Sequence, residues 1–73
     1  MKDKKLNLLL LDAENIICKI DQMFLDCEHW NNIHPNEEDL NPDPDGSIIR
    51  LRNSLETFIN GIERQKSRNV KND

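Results

Sequence analysis

From Leu6 to Trp30 the large apolar residues recur in alternating steps of three and four: Leu6, Leu9, Ala13, Ile16, Ile20, Met23, Cys27 and Trp30. That spacing is the a/d seam of an amphipathic helix, held for nearly four heptads with Leu6 at position a. Leu10, Ile17 and Phe24 flank the seam and widen it to the stripe of a core-facing helix. Polar residues fill the b, c and g positions almost throughout, as at Asn7, Asp12, Glu14, Asp21, Asp26 and Glu28. The f positions break that rule. Leu11, Cys18 and Leu25 stand seven apart, about 140° around from the a line at 100° per residue. A helix with two apolar stripes has two packing partners.

One partner is in the same chain. Ile48, Leu51, Leu55, Phe58 and Ile62 repeat the three-four spacing, with Ile59 beside them. The pattern predicts a long first helix over about residues 5–30, a loop over 31–45, a second helix over about 46–64, and a mobile tail over 65–73, with residues 1–4 frayed. Asn31, Asn32 and Pro35 end the first helix, because the residue before proline avoids helical geometry. Asn36 is placed to cap one turn through Leu40, and Ile33 and Leu40 are the large apolar residues available to pin the loop. Asp43 or Asp45 caps the second helix, Pro44 suits its first turn, and Asn60-Gly61 is its weak point. The fold class expected is all-α: an antiparallel helical hairpin with an acidic, proline-containing loop. The first turns, Leu6 to Leu11, lie opposite the far end of the shorter helix and want a cover. A dimeric four-helix bundle, or a complex with another protein, would supply it.

Charge is segregated along the chain. Residues 12–45 hold ten acids against the single base Lys19, whereas the flanking segments are net basic and bring the whole chain to −4. An acidic centre argues against direct nucleic-acid binding, which needs basic surface over phosphates, and suits a partner with a basic surface. Cys18 and Cys27 are nine residues apart on one helix. They lie about 13 Å apart along its axis, beyond the roughly 7 Å reach of a disulfide. Two reduced thiols, no signal-peptide cleavage pattern and no run of about 18 apolar residues give a cytoplasmic, membrane-free expectation.

Three stretches carry a trace of chemistry. Leu9-Leu10-Leu11-Asp12-Ala13-Glu14-Asn15-Ile16 resembles the opening strand of NYN/PIN-type nucleases. That resemblance implies a strand over Leu6–Leu11 with Asp12 as a metal ligand. It covers about eight residues, and no further strand ending in an acid follows. Cys27, His29 and His34 are zinc-ligand types, but Cys27 and His29 point to different faces of one helix. Asn41-Pro42-Asp43-Pro44-Asp45-Gly46-Ser47-Ile48 resembles the first eight positions of an EF-hand loop, with Arg52 where the bidentate acid belongs. No nucleophile–base spacing or phosphate loop is present, so no catalytic, cofactor or metal residue is assigned.

The expectation is therefore a non-enzymatic protein-interaction module of the adaptor, inhibitor or chaperone-like kind. Its layout and size are similar to those of small type III secretion co-chaperones. The expected interface combines apolar Leu11, Cys18, Leu25 and Trp30 with acidic Asp21, Asp26, Glu28, Glu37, Glu38 and Asp39. A homodimer, a basic-surfaced protein partner, or both would occupy it. The alternatives are a nucleic-acid mimic that inhibits a nucleic-acid-binding enzyme, and a homo-oligomeric structural subunit.

Overall fold

The computed structural model describes residues 2–71, with side chains through Lys66. Two helices, α1 (Lys2–Ile33) and α2 (Ser47–Lys71), pack side by side and antiparallel. Among the described residues there is no strand. Leu6–Leu11 is helical, which overturns the strand reading and with it the nuclease-like use of Asp12.

Both helices outrun their expected ends. α1 takes in Lys2 to Lys4 at one end and Asn31 to Ile33 at the other, and α2 runs through Asn60-Gly61 and on to Lys71. Residues 65–71 are thus helix, not tail, while Met1, Asn72 and Asp73 lie outside the described residues. Lys, Arg, Gln and Glu are good helix formers that carry no apolar period. The hydrophobic pattern stops before the helix does. Leu6 is buried, and Leu9 and Leu10 are half-buried. Only Leu8 and Leu11 of the leucine run stay exposed.

The packed seam is rotated from the expected one. On α1 the inward residues are the a row (Leu6, Ala13, Ile20, Cys27) and the e row (Leu10, Ile17, Phe24). On α2, taking Ile48 as a, they are Ile48, Leu55 and Ile62 with Arg52, Ile59 and Lys66. The d rows, expected in the seam, face out: Ile16 is 44% exposed, Met23 37%, Leu51 48% and Phe58 43%. Only at the ends, at Leu9 and Trp30, is an apolar d residue half covered. The core is correspondingly small, with Leu6, Ala13, Ile20 and Ile62 as its buried side chains.

The connection is held by polar groups. The Asn31 side chain donates to the Leu40 carbonyl at 3.1 Å and accepts from the Leu40 amide at 2.7 Å. This two-way clamp does the work expected of Ile33 and Leu40, which are instead 57% and 46% exposed. Residues 37–40 form no helical turn; a turn closes earlier, with the Glu37 amide donating to the His34 carbonyl. Pro44 sits in a second turn, closed by Gly46 on Asp43, rather than inside α2. Gly46 has φ +77°, which glycine adopts without penalty, and its carbonyl accepts the first helical bond from Arg50. The Asp43 carboxylate accepts from the amides of Ile48 and Ile49, and Asp45 accepts from Ser47. Both acids cap the helix, so three of its open N–H groups are satisfied at once.

Candidate protein-interaction faces

Two antiparallel helices that share an a/e seam form a flat layer with two faces. The d rows lie about 80° to one side of the seam and the b rows about 80° to the other, with f beyond b. Reversing a helix and turning it to face its neighbour cancel in handedness. Equal heptad letters therefore fall on the same side of the layer.

The b/f face is apolar with an acidic rim. Leu11, Cys18 and Leu25 stand on it, all exposed, joined by Ile49 of α2. Two open grooves run along it. One, of about 430 Å3, is lined by Glu14, Ile17, Cys18, Glu56, Ile59 and Asn60. The other, of about 510 Å3, is lined by Asp21, Phe24, Leu25, Glu28, Ile49, Arg52 and Asn53. Arg52 crosses between them. Its guanidinium donates through Nε and Nη2 to both oxygens of Asp21, at 2.9 and 3.2 Å, and through Nη1 to Glu56. The hydrogen bond from Arg52 holds the Asp21 carboxyl below the usual carboxylate range, and the two acids raise the Arg52 guanidinium. At an exposed site such a bridge contributes little energy but fixes which residues stand level across the hairpin.

The d face carries Ile16, Met23, Leu51 and Phe58, with Trp30 at its loop end. Trp30 is half-buried and stacks on His34, ring centroids 4.2 Å apart and 19° from parallel. His34 also binds the Trp30 carbonyl through both its backbone amide and its ring Nδ1, each at 3.0 Å. Trp30 thus closes the end of α1.

The expected interface set is therefore divided. Leu11, Cys18, Leu25, Asp21 and Glu28 share the b/f face. Trp30 belongs to the d face, and Asp26 to its edge, where it accepts a hydrogen bond from Gln22 at 2.8 Å. Glu37, Glu38 and Asp39 are exposed at the loop end. The four exposed d residues are legible in the sequence as apolar, but the spacing places them in the seam, whereas they face out. Arg52 carries no apolar signal, so the sequence gives no sign of its place at the seam.

Among the described residues no cluster of three or more His, Cys, Asp or Glu side chains could hold a metal ion. In the EF-hand-like stretch, Asp43 and Asp45 turn their carboxylates onto the amides of α2. No buried polar or charged side chain lies within the described residues, and no helix there is long and apolar enough to cross a membrane. The chain matches no family model, no curated protein and no solved structure.

Proposed function

We propose that this chain is a non-enzymatic protein-interaction module that works in a four-helix assembly and takes its partner on the b/f face. The observation that carries the reading is the groove at Leu25 and Ile49. These residues are 58% and 51% exposed and are flanked by the carboxylates of Asp21 and Glu28. Apolar surface with a charged rim is the anatomy of a protein interface: the apolar part supplies affinity, the rim steering and specificity. A partner with a basic rim around an apolar segment fits it. The grooves are open and shallow, unlike the deep pockets that desolvate catalytic groups. Two free thiols suit a reducing, cytoplasmic setting.

Phosphate mimicry is the weaker reading. Glu14, Asp21 and Glu28 are seven residues apart, about 10.5 Å along the helix, whereas duplex DNA carries a charge every 1.7 Å or so. Arg52 also offsets Asp21 and Glu56.

The test is affinity capture with the wild-type chain, Leu25→Asp, and the double change Glu14→Lys/Glu28→Lys, each checked for unchanged helix content. The proposal expects a protein that binds the wild type and is lost from both variants. Binding that yields to about 0.5 M salt yet ignores Leu25→Asp would transfer the reading to mimicry. Equal retention by all three would overturn it.

A further inference from the structure

The d face needs an occupant, and the geometry points to a second copy of this chain, related by a two-fold axis parallel to the helices. This inference rests on the module reading above and specifies its assembly. Its first support is area. The layer is 19 Å wide, and over the roughly 37 Å of α2 it offers about 700 Å2 per copy, near the roughly 800 Å2 per partner of a standard interface.

The second support is charge. Flanking the d rows, the outer edge of α1 carries Asp12 and Asp26, with Lys5 and Lys19 at the alternate heptads, and that of α2 carries Arg50 and Arg64 with the uncharged Thr57 between them. The two acids and the two arginines are exposed, and among the described residues none of the four makes an ion pair. Their heights are fixed by the hairpin itself. Asp21 reaches Arg52, and Ile17 lines one groove with Ile59. By that register Asp26 stands level with Arg50, and Asp12 with Arg64, to within a helical turn. Rotation about an axis parallel to the helices leaves every height unchanged and sets α1 over the partner's α2. Both acids of each α1 then meet both arginines opposite, and the residues between, Ser54 and Gly61, are small enough to let the arginines reach across. A two-fold axis across the helices instead stacks α2 on the partner's α2, whose outer edge carries Arg50, Thr57 and Arg64 and no acid, so the arginines find no carboxylate opposite.

Sedimentation equilibrium on charge-reversed chains tests both the occupant and the axis. Arg50→Glu/Arg64→Glu places acids against acids, and Asp12→Lys/Asp26→Lys places bases against bases, so each chain alone is expected to dimerise about tenfold or more weakly than the wild type. An equimolar mixture of the two is expected to recover the wild-type affinity, because both seams of the mixed dimer are again complementary. Phe58→Asp should abolish the dimer and Leu25→Asp should spare it. If each reversed chain dimerises as well as the wild type, the axis is wrong. If Leu25→Asp breaks the dimer and Phe58→Asp does not, the face is wrong. A wild type that stays a helical monomer overturns the second copy while leaving the b/f-face reading to its own capture test.

Discussion

Glycine marks two opposite situations in this chain. Gly61 lies inside α2, where glycine costs roughly 0.5–1 kcal/mol relative to alanine, and nothing stands within 4 Å of where its Cβ would be. Gly61→Ala is therefore expected to stabilise the hairpin by that amount. Gly46 holds φ +77° at the entry to α2, where an L side chain costs about 1–2 kcal/mol, so Gly46→Ala should destabilise by a similar amount. Urea midpoints of the two variants check both signs. Two carboxyls contribute to the response to acid. Arg52 holds Asp21 below the ordinary range, and hydrogen bonds from Ser47 do the same for Asp45. An unfolded aspartate titrates near 3.9. The stabilisation from a depressed carboxyl is present above that pH and is lost as pH falls through the folded value. Helicity at 222 nm should thus decline below about pH 4, and Asp21→Asn/Asp45→Asn should flatten that limb. An unchanged acid limb in the double variant would remove these two groups from the account.

At the scale of elements, the two helices and their antiparallel hairpin follow from periodicity alone. Which rows face each other does not. When a, d and e are all apolar, as at Ala13, Ile16 and Ile17, the spacing shows a wide stripe and leaves its division between neighbours open. Packing chose a and e, and the d row was left outside. Arg52 stands on the α2 e row and reaches Asp21 across the hairpin, consistent with that choice. The helix ends were hidden because polar helix formers have no period, and the loop because its anchor is a single amide nine residues from its target. Asn31→Ala removes both bonds to Leu40. Each hydrogen bond contributes roughly 0.5–1.5 kcal/mol, and at this exposed site the change should be felt locally. Amide exchange over residues 34–42 should speed several-fold while the middle of α1 keeps its protection. Uniform acceleration throughout α1 would show instead that the loop and helix open together.

As a whole molecule the chain is a layer of two packed helices. It measures 61 × 19 × 13 Å, and among the described residues Leu6, Ala13, Ile20 and Ile62 form the buried core while ten large apolar side chains are exposed. A core of that size supplies at most a few kcal/mol against the chain entropy it must offset. The exposed residues are not scattered evenly. Ile16, Met23, Leu51 and Phe58 share one face; Leu11, Leu25 and Ile49 share the other. In the proposed reading the first face, edged by Asp12 and Asp26 on α1 and by Arg50 and Arg64 on α2, receives another copy, and the second, with its acidic rim, receives a different protein. The sequence showed that α1 has two apolar stripes. It could not show which of them is offered to which partner, because that depends on the rotation of the seam and on charges brought level only by the hairpin.

The most direct test of this two-faced layer is the thermal midpoint as a function of protein concentration, measured for the wild type and for Phe58→Asp. Association through the d face makes unfolding obey mass action. The wild-type midpoint is then expected to climb steadily over a hundredfold rise in concentration, while that of Phe58→Asp is lower and flat. A wild-type midpoint that does not move with concentration would contradict the account.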